Sequence, residues 1–304
     1  MSEKKSISTS TILRNDLRSK KIVKVGGAFD AMSAKLVEIY DFNAVWAGSF
    51  GISATHALPD ASILTMTEFL DAATKMTEAC KIPVIADCDT GFGGPSNVSH
   101  MVKKYEKAGI AAISIEDKVF PKQNSLLENS SQELLPEKEF VKKIIAAKEA
   151  KQNDDFMIIA RIEALIAGQG VDEAIKRASA YEKAGADAIL IHSKKSTPNE
   201  IFEFCDLWNG NLPIVVIPTS YPSVTLDDLA SHKIKMVIYA NHTLRAAYMA
   251  MSKLLNEISK SDSLSKLKQE ISSMDDIFQL QEMYKIKKQE KDIEDNLRKL
   301  GYLS

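Results

Sequence analysis

Cysteine is scarce in this chain. The three present, Cys80, Cys88 and Cys205, are scattered and odd in number, with no CxxC pair. That counts against a zinc site or a disulfide framework. No apolar run approaches the ~20 residues that span a bilayer, and the leading MSEKKSISTSTILRNDL is polar, without an apolar signal core. Charge of one sign is lacking too: 39 basic against 41 acidic residues leave a net charge of −2. Nothing in that balance favours nucleic acid or an anionic membrane surface. Neither GxGxxG nor GxxxxGK[ST] occurs, which disfavours an open doubly wound nucleotide-binding sheet. The expectation is a soluble cytoplasmic protein with no membrane or nucleic-acid partner.

What is present is a chain of 304 residues, 45% hydrophobic, ample for a sizeable core. Short apolar runs alternate with amphipathic segments. Strands are predicted at 22–26, 44–47, 84–87, 111–116, 157–161, 188–192, 214–218 and 236–239. Helices are predicted near 29–39, 66–80, 95–108, 137–151, 171–184, 198–208, 225–232 and 242–258. Several strands are rich in Val and Ile and do not alternate with polar residues, as suits strands buried on both faces of a parallel sheet. Eight such strands, each followed by a helix, predict an α/β fold, a (β/α)8 TIM-type barrel over 1–260. A charged helical extension is predicted over 261–304, its apolar positions Ile271, Met274, Ile277, Phe278, Leu280, Met283, Tyr284 and Ile286 near helical spacing. Such a tail must pack on its own barrel or on a neighbour's, which makes a homo-oligomer the expectation.

The connections at 48–64 and 118–135 exceed the usual βα length, and the second is polar, with Asn124, Ser125, Asn129, Ser130 and Ser131. Long loops of this kind are lid candidates. Barrel enzymes carry their chemistry at the C-terminal strand ends. Applied here, that rule collects Gly48 and Ser49, Asp87 and Asp89, Glu116, Arg161, His192, Thr219 and Asn241 on one rim. Asp87 and Asp89 share a face if the strand stays extended, and Glu116 follows on the next strand. Three carboxylates in a low-dielectric rim repel unless a cation compensates. Mg²⁺ suits such an oxygen set, and a solvated acidic rim without metal is the plainer reading. Arg161 suits a carboxylate or phosphoryl group, or an internal ion pair with Glu163. His192 is either a ligand-facing or a satisfied core histidine. Trp46 reads as packing. Gly48, Ser49 and Gly51 let backbone N–H groups approach an anion. Cys88 reads as a small side chain turned away from its acidic neighbours.

The stretches IADCDTGFG, EDKVFPKQNSL, ARIEALIAGQG, DEAIKRASAYEKAGADAILIHSKK and YANHTLRA resemble phosphoenolpyruvate mutases of the isocitrate lyase/phosphoenolpyruvate mutase superfamily. The resemblance runs from Ile22 to the ANH after the eighth strand. It implies a helix-swapped barrel, a dimer or tetramer, using Mg²⁺ to interconvert phosphoenolpyruvate and phosphonopyruvate, the P–C bond-forming first step of phosphonate biosynthesis. It also assigns residues. Asp87, Asp89 and Glu116 match the metal-associated acids, and Asp60 the aspartate that serves as nucleophile or metal-water partner. Lys122, Asn124 and Ser125 match the gating loop, and Arg161 and His192 the phosphoryl-binding pair. Trp46, Gly48, Ser49 and Phe50 match the substrate-carboxylate cradle, which in the family reads Trp-Gly-Ser-Gly-Leu and here reads Trp46-Ala47-Gly48-Ser49-Phe50. Asn124 favours a mutase over the related phosphonopyruvate hydrolases. The carbon–carbon lyases of the superfamily carry a loop cysteine, and none lies between 89 and 204 here.

Overall fold

The computed structural model describes residues 7–267 and 271–303. Eight parallel strands close on themselves in sequence order. They are β1 (Val23–Ala28), β2 (Ala44–Ala47), β3 (Val84–Asp87), β4 (Ala112–Glu116), β5 (Met157–Ile162), β6 (Ala188–Ile191), β7 (Ile214–Val216) and β8 (Ile234–Tyr239). The expected barrel is therefore present, with strand ends displaced by a residue or two. β7 is shorter than expected because the chain leaves the ladder before Ile217 and Pro218.

Successive strand residues point to opposite faces, and both faces are apolar here. Val25, Trp46, Ile85, Ala112, Ile159, Leu190, Val215 and Ile238 fill the barrel interior. Their neighbours Val45, Ala86, Ile113, Ile158, Ile189 and Val216 pack outward against the helices. Burying one such side chain contributes about 1.5–3 kcal/mol, which explains the unbroken Val/Ile runs.

The helices that cover β1 to β7 are α2 (Ala31–Ile39), α4 (Met66–Ala79), α5 (Pro95–Lys107), α6 (Glu137–Ala150), α7 (Gly170–Ala184), α8 (Asn199–Leu207) and α9 (Leu226–Ser231). Three are capped locally: Asp30, Thr65 and Thr225 each close a capping box with the third helical residue. Two further helices lie where none was expected. α1 (Thr9–Ser19) starts at the N-cap Ser8 in the polar N-terminal stretch. It buries Leu13 and Leu17 among the interior residues of the strand starts, while Arg14 reaches Asp187 at 2.6 Å. α3 (Ser49–Thr55) occupies the start of the first long connection.

The chain forms two compact units, one up to Arg245 and one that begins at Ala246. α10 (His242–Ile258) runs through that division and has no buried residue. The second unit continues with α11 (Met274–Leu280) and α12 (Met283–Lys299), helical as expected, with Met274, Met283, Tyr284 and Ile286 exposed. Among the described residues no helix is long and apolar enough to cross a membrane.

Candidate active site

Strand parity selects the rim. Ile85, Ile159 and Leu190 point into the barrel, so Asp87, Arg161 and His192, two positions on, point inward above them. The same step takes Ala112 through Ser114 to Glu116. Pairing sets Asp87 beside Ser114, and Glu116 beside Arg161. Cys88 has the opposite parity and lies in the outer layer, as expected. The inward groups surround a cavity of about 150 Å³, lined by every expected site residue except Asp89 and Glu116. It is smaller than the ~300–1,000 Å³ of pockets for drug-sized ligands, and suits a small acid.

One wall is acidic. Asp87 accepts a hydrogen bond from Ser49 Oγ at 3.0 Å and a long one from the Asp89 N–H at 3.3 Å. These two acids do not share a strand face, as an extended strand would have required. β3 ends at Asp87, and Asp89 has left-handed backbone with φ 48°. A turn, and not strand alternation, brings them together. The Lys122 ammonium lies among the acids, 2.7 Å from Asp89 and 3.0 Å from Asp60, and bonds Ser49 Oγ at 3.0 Å. Burial opposes its charge, yet Asp89, Asp60, Glu116 and Asp87 outweigh burial and hold it charged well above the usual lysine range. Burial, opposed by Lys122 and reinforced by Asp87, Asp60 and Glu116, pushes the Asp89 carboxyl up to about 7. Asp60 goes the other way: despite burial, Lys122 and Asn124 hold it below the usual carboxylate range.

These acids retain unused capacity. Both oxygens of Asp89, both of Glu116 and Asp60 Oδ1 are buried and accept no hydrogen bond, the Lys122 ion pairs being misaligned for one. Orphaned, all-oxygen donor groups fit a hard cation. Among the described residues no three acidic, histidine or cysteine side chains converge closely enough to hold one ion between them. The set is therefore compatible with a hydrated hard cation, which Asp87, Asp89 and Glu116 would hold.

The opposite wall is basic. Arg161 Nε is 2.5 Å from Glu163 and 3.3 Å from Glu116, so the internal ion pair is present while the guanidinium still lines the cavity. Arg161 Nη2 and Glu163 Oε1 each lie 2.9 Å from His192 Nδ1. Burial, helped by Arg161 and opposed by Glu163, holds His192 below the usual histidine range.

The second long connection lines this cavity with Lys122, Asn124, Ser125 and Leu126. Its base is pinned by a Lys118–Leu134 bridge. Lys118 Nζ bonds Gln123 O at 2.9 Å and Ser125 Oγ at 2.6 Å. Asn124 Nδ2 donates to Asp60 at 2.7 Å. The cradle differs from expectation at one point. The Gly48 N–H donates to Ala28 O, so the free backbone donors are those of Ser49 and Phe50 at the start of α3. Glycine is required at 48 because a Cβ would lie 2.9 Å from the Trp46 ring. Trp46 itself is both packing and wall, buried in the interior cluster and facing the cavity.

Sequence reasoning gave no role to Thr219, Asn241, Ile217 and Leu126, which also line the cavity. Thr219 Oγ1 and Asn241 Oδ1 are buried without hydrogen-bond partners. Their strand-end positions after β7 and β8 were the only signal available.

Known proteins resemble this chain in sequence and in fold. Phosphonopyruvate hydrolase of Variovorax sp. is 44% identical over 270 residues, covering 88% of this chain and 93% of that one. The crystal structure of phosphoenolpyruvate phosphomutase from Streptomyces platensis subsp. rosaceus superposes with a TM-score of 0.91 at 44% identity, covering 93% and 98% of the two chains. A phosphonopyruvate hydrolase crystallised with oxalate and Mg²⁺ gives 0.87 at 41% identity, covering 92% and 97%. The family described as phosphoenolpyruvate phosphomutase matches residues 13–259. With its barrel, its acidic and basic walls and its cavity-lining loop, this chain belongs to the phosphoenolpyruvate mutase family of the phosphoenolpyruvate mutase/isocitrate lyase superfamily.

Proposed function

We propose that the protein is a phosphoenolpyruvate mutase that interconverts phosphoenolpyruvate and phosphonopyruvate. The observation that carries this reading is the docked loop, in which Asn124 bonds Asp60 and Lys122 and Ser125 reach the acidic and basic walls. A phosphoryl group moving between carbon and oxygen of one substrate must be kept from water, and a latched lid does that. Arg161 and His192 hold the phosphoryl group. The N–H groups of Ser49 and Phe50 take the substrate carboxylate. Lys122 and Asn124 keep Asp60 ionised and oriented. Asp87, Asp89 and Glu116 would hold Mg²⁺, which when bound would supply Lewis-acid chemistry. The Mg²⁺ found in a related phosphonopyruvate hydrolase supports Mg²⁺ as the cation.

Phosphonopyruvate hydrolase is the second reading, favoured by the 44% identity to the Variovorax protein. Phosphorus NMR of phosphonopyruvate with enzyme and Mg²⁺ separates the two. Phosphoenolpyruvate is expected, free phosphate alone would replace mutase by hydrolase, and no change would sink both. In the same assay Asn124→Ala should lose about tenfold in turnover, as for one hydrogen bond to a charged group, and should leak part of the substrate to free phosphate. Unchanged turnover and an unchanged product ratio would remove Asn124 from the gate.

A helix-swapped homo-oligomer belongs to the same proposal. An apolar groove on the barrel wall, lined by Gly26, Leu36, Val37, Tyr40, Phe42 and Tyr239, lies open beside β8. α10 exposes Tyr248, Met249, Met251 and Leu255. Light scattering should give a multiple of 33.6 kDa; a monomer mass would exclude the swap.

A further inference from the structure

Glu163 lies just past β5, fully buried, and the function proposed above gives it no role. Its carboxylate is nonetheless shared between the two halves of the site. Oε1 accepts Arg161 Nε at 2.5 Å and lies 2.9 Å from His192 Nδ1. Oε2 accepts the Ser125 hydroxyl at 2.6 Å and lies 3.3 Å from Lys118 Nζ. Its own N–H donates to Asp117 Oδ1 at 2.9 Å, which fixes the backbone from which the carboxylate projects.

Such a carboxylate is costly to bury unless every lone pair is used. Here the donors come from three sources: the basic wall, the base of the loop and the loop itself. Ser125 is the joint. Its hydroxyl gives its one proton to Glu163 and accepts from Lys118 at 2.6 Å and from Arg161 Nη2 at 3.2 Å. If the loop lifts, Ser125 leaves Glu163 Oε2 and Arg161 Nη2 together. Lid position and guanidinium position are thus tied through one anion.

We propose that Glu163 is a positioning residue: it fixes Arg161 and His192 in the cavity and latches the loop of residues 118–135 through Ser125. This rests on the reading of Arg161, His192 and the loop given under the proposed function. The loop arm of its test does not depend on that reading. Glu163→Gln keeps the size of the side chain and removes its charge. Amides of 122–128 should exchange with deuterium about tenfold faster or more in the free variant, as expected for losing a charge-assisted hydrogen bond. With phosphonopyruvate, kcat should fall more than KM rises, and the share of free phosphate among the products should grow. A residue that merely stabilised the barrel would move neither the product ratio nor the exchange of this loop alone.

Ser125→Ala removes only the joint and should speed the same amides. Combined with Glu163→Gln it should add less than the sum of the two single effects, because both open one latch. If Glu163→Gln does not fold, Ser125→Ala carries the test. Loop exchange that stays within twofold of wild type in folded variants overturns the latch. If wild type leaves phosphonopyruvate unchanged, the functional reading fails, and loop exchange still decides the latch.

Discussion

Asp87→Asn is expected to lower kcat/KM by about 10²–10³-fold, because a Lewis-acid ion supplies several kcal/mol and each ~1.4 kcal/mol is a factor of ten. Of the three rim acids that match the family's metal-associated positions, it alone lines the cavity. Asparagine keeps the shape and can still accept from Ser49 Oγ, so the wall should persist. What disappears is one negative charge from a crowded group. Asp87 is among the causes that push Asp89 up, so its neutralisation relieves that repulsion while removing one of several attractions on Lys122 and Arg161. The expected pattern is therefore split: a little-changed melting temperature without metal, and loss of the rise that Mg²⁺ gives wild type. Melting curves with and without Mg²⁺, together with turnover across a Mg²⁺ titration, measure both halves. A variant that kept more than a tenth of wild-type turnover at the same Mg²⁺ requirement would show that Asp87 is not the metal contact.

The barrel was legible because its forces are local and periodic. Runs such as Met157-Ile158-Ile159-Ala160 are apolar on both faces, and amphipathic segments follow each of them. Strand parity then delivers Asp87, Glu116, Arg161 and His192 to one rim. α1 was missed because only Leu13 and Leu17 of its residues are large and deeply buried, too few to stand out in a polar stretch. The partnerships within the rim were harder to read. Lys122 meets Asp60 and Asp89 only after two loops fold toward each other, and sequence spacing carries no trace of that. Glu163 was visible only as a possible partner of Arg161. Its bonds to Ser125 and His192 depend on the loop path and on β6. The EDK stretch hides a division as well, since adjacent residues beside a strand end face opposite ways.

That division predicts the largest stability effect. Glu116 turns inward to the rim, whereas Asp117 is fully buried on the other side, against α7. Asp117 Oδ1 accepts the Glu163 N–H at 2.9 Å, and Oδ2 accepts Tyr181 Oη at 2.7 Å and Arg177 Nη1 at 3.0 Å. Asp117→Ala would leave Arg177, whose side chain is only 6% exposed, with Glu173 as its remaining acid partner. Removing one member of a buried pair costs about 3–5 kcal/mol, a fall in melting temperature on the order of 10 °C for a unit of this size. Asp117→Asn can still accept from Tyr181 and from the Glu163 N–H, and should cost about 1–3 kcal/mol. Because Asp117 faces away from the cavity, the loss should be the same with and without Mg²⁺, opposite to the pattern expected for Asp87. Thermal melts of both variants under both conditions test this. A loss confined to the Mg²⁺-bound protein would put Asp117 in the metal site; a loss below ~1 kcal/mol for Asp117→Ala would mean that water or a rearranged Glu173 satisfies Arg177. Glu163 hangs from Asp117 by its backbone N–H. The alanine variant should therefore also weaken the hold on the loop, and its amide exchange should quicken with it.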